Sequence, residues 1–69
     1  MSAIVRYKIK EIRVDRGISQ RKLAELSGLS HSTISYIESG KREPTVQVLC
    51  EIALALQIDT RLLFEYWQL

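Results

Sequence analysis

Apolar positions recur along the chain at helical spacing, and the polar residues between them fall where helices start and stop. Val5, Ile9 and Ile12 repeat at i, i+4 and i+7 and predict a first helix ending near Arg16, with Gly17 as its left-handed stop. Ser19 is a fitting N-cap for a second helix carrying Leu23, Ala24 and Leu26, which Gly28 breaks. Ser30 caps a third segment, with Ile34 and Ile37 inward and Gly40 as its stop. Gly40-Lys41-Arg42-Glu43-Pro44 is a clear loop. Thr45 caps a fourth helix with Leu49, Ile52, Ala53 and Leu56 on one face, and Asp59 caps a fifth carrying Leu62, Leu63 and Phe64. No apolar/polar alternation is flanked by a hairpin turn, so no strand is predicted. The expected architecture is all-α: a single domain over residues 1–69, built of five short helices, with the last helix and tail at about 60–69.

A length of 69 residues excludes two cores and most enzyme folds. With 46 % hydrophobic and 26 % charged residues, the chain has a globular composition and is not expected to be disordered. No apolar run approaches the roughly 20 residues of a membrane span, and no leader peptide pattern opens the chain. A cytoplasmic protein without membrane contact is therefore expected. A single cysteine, Cys50, and a single histidine cannot build a disulfide or a zinc site, so no metal is expected and Cys50 reads as a small core residue.

The net charge of +2 conceals an asymmetry. Residues 1–42 carry nine Lys or Arg against four acids, whereas residues 43–69 carry only Arg61 against four acids. A basic front and an acidic back would orient the molecule toward a polyanion, although the same charges could simply keep a small domain soluble.

Residues 20–39, reading QRKLAELSGLSHSTISYIES, meet the demands of a helix-turn-helix. Leu23, Leu29, Ile34 and Ile37 fall where two helices and a turn share a core. Ala24 sits where the helices cross closely, and Gly28 where the turn needs positive φ. His31, Ser32, Ser35 and Tyr36 project from the outward side of the second of these helices. A plain helical hairpin would need the apolar positions but not the Ala24 and Gly28 pairing.

The chain resembles the phage-repressor-like helix-turn-helix domains of the Cro and lambda-repressor (xenobiotic-response-element) type. The matching residues are Ile9, Ile12, Arg13, Arg16-Gly17-Ile18-Ser19-Gln20, Leu23-Ala24, Gly28-Leu29-Ser30, Thr33-Ile34-Ser35, Ile37-Glu38, Gly40-Lys41-Arg42 and Pro44. Leu49, Ile52-Ala53, Ala55-Leu56 and Ile58 resemble the family's fourth helix. The resemblance spans about residues 5–64 and implies a compact five-helix, DNA-binding transcriptional regulator. Two features depart from the pattern: Leu62 replaces a usually polar residue, and the tail Tyr66-Trp67-Gln68-Leu69 is unusually apolar.

By this resemblance Gln20, at the start of its helix, grips a backbone phosphate, and Lys41 and Arg42 meet phosphates without reading sequence. Ser30 is an N-cap whose hydroxyl is free only for phosphate, and Thr33 joins this phosphate-contacting set. His31, Ser32, Ser35 and Tyr36 are the base-reading candidates, and none has the bidentate geometry of Arg on guanine. The family pattern also makes Arg13 and Glu38 a partly buried ion pair between the first helix and the recognition helix. Leu62, Tyr66, Trp67 and Leu69 exceed what a core this small needs and mark a homodimer interface.

No acid stands within a turn of His31 to orient it as a catalytic base, and there is no phosphate-binding Gly-rich loop or carboxylate pair. The sequence therefore reads as no enzyme, with no cofactor and no small-molecule ligand evident. The expected function is sequence-specific binding of double-stranded DNA by a homodimeric regulator, a repressor by its output, on a near-palindromic operator. Two rivals share the fold: an antitoxin that binds both operator and toxin, and a protein-interaction module without DNA binding. The basic loop and polar recognition helix speak against the second, since a protein-binding face would carry apolar anchors there.

Overall fold

The computed structural model describes residues 2–69; Met1, part of the expected domain 1–69, lies outside the described residues. The elements run β1 (Ala3–Tyr7), α1 (Ile9–Asp15), α2 (Gln20–Ser27), α3 (His31–Glu38), α4 (Val46–Leu56), a 3-10 turn (Thr60–Leu63) and β2 (Phe64–Gln68). Side-chain caps start four of these. Ser19 accepts from the Lys22 N–H, Ser30 from Thr33, Thr45 from Val48 and Asp59 from Arg61. Each satisfies one of the backbone donors that a helix start leaves without a partner.

Ile9, Leu23, Ala24, Ile34, Ile37, Leu49, Ile52, Ala53, Leu56 and Leu63 form one buried core. Every element from α1 to the 3-10 turn contributes to it. Leu26 does not; it is exposed on the outer side of α2. Cys50 is half-buried, its Sγ 3.9 Å from the Thr60 hydroxyl, at the core's margin and not within it.

The all-α expectation is corrected at both ends. Where a first helix was expected to include Val5, residues 3–7 form a strand, and the expected fifth helix is a single 3-10 turn leading into a second strand. The strands pair antiparallel, Ile4 opposite Trp67 and Val5 opposite Tyr66. Tyr7 and Phe64 pack on the core, while Ile4, Val5, Tyr66 and Trp67 remain exposed. The ribbon joins the two ends of the sequence, so no hairpin turn announces it. It also extends past the core, so neither face shows the alternation of a half-buried strand. β-Branched Ile4 and Val5 and the aromatic run of β2 supply the strand preference instead. Exposed ion pairs of Arg6 with Glu65 and Glu11 tie the ribbon to itself and to α1. Exposed to water and screened by salt, such pairs add little to stability.

The turn between α2 and α3 depends on Gly28, whose φ is 74°. A Cβ there would meet no neighbouring atom within 4 Å, so only the backbone conformation opposes a side chain. Gly28→Ala is accordingly expected to cost about 1–2 kcal/mol, the penalty of a left-handed L-residue. The denaturation midpoint should fall with an unchanged slope; an unaltered midpoint would show that the turn does not need glycine.

Candidate nucleic-acid interface

Two helix starts border one open cleft, lined by Arg13, Ser19, Gln20, Arg21 and His31. Neither α2 nor α3 has an acidic residue in its first turn. The partial positive charge of each start is therefore not offset by a carboxylate of its own helix. Arg21 and Lys22 add two cations in the first turn of α2, where the helix dipole disfavours them. They were not among the residues singled out from the sequence. That unfavourable placement, two consecutive cations after an N-cap, was the signal available.

Behind the cleft lies a buried ion pair. Arg13 Nε and Nη2 donate to the two Glu38 carboxylate oxygens at 2.8 and 3.0 Å, and Nη1 donates to the Ile18 carbonyl at 2.7 Å. The side chains are 10 % and 2 % exposed. This fork joins α1 to the end of α3 and to the chain entering α2. Burial alone would raise the Glu38 pKa. The hydrogen bonds from Arg13 and Gln20 outweigh it and hold the carboxyl below its ordinary value. The same hydrogen bonds, donated by Arg13 and accepted by Glu38, raise Arg13 above an already high value.

Gln20 connects this pair to the surface. Its Nε2 donates to Glu38 Oε1 at 3.0 Å, and its Oε1 lies 3.1 Å from His31 Nε2. One amide hydrogen is left for an outside acceptor. His31, Ser32 and Tyr36 are exposed on α3, whereas Ser35 and Thr33 are half-buried. The Ser30 and Thr33 hydroxyls lie 2.8 Å apart, so one of their two hydrogens is used between them and one is left.

The loop after α3 is folded back on the helix. The N–H groups of Lys41 and Arg42 both donate to the Tyr36 carbonyl, at 2.9 and 3.2 Å. The Arg42 guanidinium stands 5.5 Å from the centre of the Tyr36 ring. Such stacking is worth roughly 0.5–1 kcal/mol at an exposed site and sets Arg42 at the edge of the helix's outward face. Leu62, Tyr66, Trp67 and Leu69 are exposed. The latter three belong to the ribbon and its end, and none of them lines the cleft. Among the described residues no group of three or more His, Cys, Asp or Glu could hold a metal ion, and no helix is long and apolar enough to cross a membrane.

Comparison with known proteins gives a consistent picture. A family profile described as helix-turn-helix matches residues 9–63. The HTH-type transcriptional regulator PuuR of Escherichia coli (strain K12) is 52 % identical over 42 residues, covering 61 % of this chain and 23 % of the relative. Repressor protein C of Escherichia phage P2 is 36 % identical over 52 residues, covering 75 % of this chain and 52 % of the relative. The crystal structure of the restriction-modification controller protein C.AhdI from Aeromonas hydrophila superposes with a TM-score of 0.76 at 37 % identity, covering 78 % of this chain and 82 % of that one. The chain thus spans about a quarter of the PuuR sequence but most of the controller protein.

Removing one member of the Arg13–Glu38 pair should cost about 3–5 kcal/mol, because the other charge is left buried without a partner. In a double-mutant cycle of Arg13→Ala and Glu38→Ala the expected coupling is well above the roughly 1 kcal/mol of an exposed pair. Because the folded-state pKa of Glu38 is lowered, its contribution is complete above the ordinary carboxylate range and is lost as pH falls through the lowered value. Coupling near zero, or an acid limb of the stability curve unchanged in Glu38→Gln, would contradict this.

Proposed function

The chain belongs to the phage-repressor-like (Cro/C1-type) helix-turn-helix family, and from that membership we propose that it binds double-stranded DNA sequence-specifically and regulates transcription as a repressor. The observation that carries this reading is the outward face of α3. His31, Ser32 and Tyr36 are exposed there, with Arg21 lining the cleft beside His31 and Arg42 standing against the Tyr36 ring. A helix presented this way fits a major groove, with base edges before it and phosphates at its flanks. His31, Ser32, Ser35 and Tyr36 are the base-contacting set; Gln20, Ser30, Thr33, Lys41 and Arg42 hold phosphates. The amide hydrogen left on Gln20 and the hydroxyl hydrogen left on the Ser30–Thr33 pair suit a phosphate oxygen. No small-molecule ligand is part of this reading, and its setting is the cytoplasm.

The protein acts as a homodimer on a near-palindromic operator. Leu62, Tyr66, Trp67 and Leu69 are joined by exposed Ile4 and Val5 on the ribbon. An isolated two-stranded ribbon is marginally stable in water, so a second copy that covers these side chains would also stabilise the fold. Isologous pairing would place two recognition helices about 34 Å apart, one turn of the double helix.

Selection of bound duplexes from a random pool tests the reading and reads the operator together. With about three phosphates neutralised per protomer, the plot of log K against log salt should slope near −5. Ser32→Ala should relax base preference with the slope nearly intact, whereas Lys41→Ala should weaken all duplexes alike and flatten the slope by about one unit. No binding to any selected duplex at low salt, or a reversal of these two effects, would overturn the assignment.

Trp67→Ala is expected to lower the sedimentation mass from dimer to monomer and to weaken operator binding at the same protein concentration. An unchanged mass and affinity, or a wild-type protein that is monomeric on DNA, would contradict the ribbon interface.

A further inference from the structure

We infer that His31 reads DNA as a hydrogen-bond acceptor, its Nδ1 taking a hydrogen from an exocyclic amine on a base edge, N6 of adenine or N4 of cytosine. The inference rests on the reading of α3 as a base-contacting helix and specifies what its first residue takes.

It follows from four side chains in line. Glu38 receives two hydrogen bonds from Arg13 and is ionised, so its oxygens only accept. The Gln20 atom 3.0 Å from Glu38 Oε1 therefore has to be the amide nitrogen. The orientation of an amide is normally ambiguous, but the carboxylate removes the ambiguity here. The carbonyl oxygen of Gln20 is thereby turned toward His31, 3.1 Å from Nε2. A carbonyl cannot donate, so Nε2 carries the ring hydrogen. In the neutral imidazole Nδ1 is left with a lone pair, and it has no hydrogen-bond partner among the described residues.

In the major groove, N6 of adenine and N4 of cytosine are donors, whereas O6 of guanine and O4 of thymine accept. A lone pair on Nδ1 attracts the first pair and repels the second. With the amide of Gln20 turned the other way the ring would hold its hydrogen on Nδ1, and the preference would be reversed. Gln20 is thus a positioning residue for base choice, and the buried Arg13–Glu38 pair, remote from the bases, sets its direction.

The test uses duplexes selected by the full chain at pH 8. The base whose preference disappears in His31→Ala is located, and its exocyclic amine is then removed. Unsubstituted purine replaces adenine in one arm and 2-pyrimidinone replaces cytosine in the other, which distinguishes the two sources of the amine. Loss of the amine is expected to weaken wild type roughly tenfold and His31→Ala hardly at all. Gln20→Leu should narrow the preference for amine over carbonyl by a similar factor, whereas loss of a phosphate contact alone would weaken every duplex equally. A separate reading comes from 15N spectra of the His31 ring without DNA, with hydrogen on Nε2 in wild type and both tautomers in Gln20→Leu. Unchanged binding of wild type after removal of the amine, base preferences indifferent to His31→Ala, or a bare Nε2 would each overturn the inference while leaving DNA binding intact. Failure of every duplex to bind would overturn the base-reading function and the amine assignment with it, and the ring spectrum would still show whether the side-chain line exists.

Discussion

Withdrawing the Glu38 carboxylate from water carries a penalty of several kcal/mol, and the fold recovers it only by holding Arg13 in one place. That demand organises the rest. Arg13 can fork onto Glu38 only if α1 lies across the end of α3, and its third hydrogen bond, to the Ile18 carbonyl, fixes the chain just before α2. The apolar core would tolerate sliding of these helices against one another far better than two buried charges would. Leucine and isoleucine supply the stability, and the ion pair sets the angle at which the recognition helix is presented.

The electrostatics of the surface follow from the same arrangement. Pairing consumes the charge of Glu38, the acid on α3, and leaves the cations around it unneutralised. Lys41 and Arg42 are held beside α3 by the Tyr36 carbonyl and ring, and Arg21 lines the cleft with His31. Carboxylates of the C-terminal part are used elsewhere: Asp59 with Arg61, Glu65 with Arg6. Through Gln20 the buried pair also reaches the surface, so a contact made at the core governs which hydrogen-bonding face His31 shows.

Much of the fold was legible because its determinants are local. Ser19, Ser30, Thr45 and Asp59 each cap the segment expected of them, since a cap depends on a donor two or three residues away. Gly28 adopts the left-handed turn expected of it. The ribbon was not legible. Val5, Ile9 and Ile12 have helical spacing, but Val5 pairs with Tyr66, and pairing across most of the chain leaves no periodic trace in either segment. Gln57 closes α4 with φ of 58°, a position where glycine is the usual signal. Arg16 donates to the Leu56 carbonyl at 2.6 Å, satisfying the end of a helix 40 residues away. Of the candidate site, the residue types on α3 could be read from spacing, whereas the line from Arg13 to His31 joins three helices and exists only in the folded chain.

In the proposed function the start of α2, the outward face of α3 and the loop at 41–42 together meet duplex DNA while the ribbon stays clear of it. Backbone amide NMR of the labelled protein, titrated with a selected duplex, tests this most directly. The shifted and broadened amides are expected to centre on residues 20–22, 30–36 and 41–42, with those of β1 and β2 unaffected by the duplex. Perturbations centred on the ribbon, with the amides of α3 silent, would contradict it.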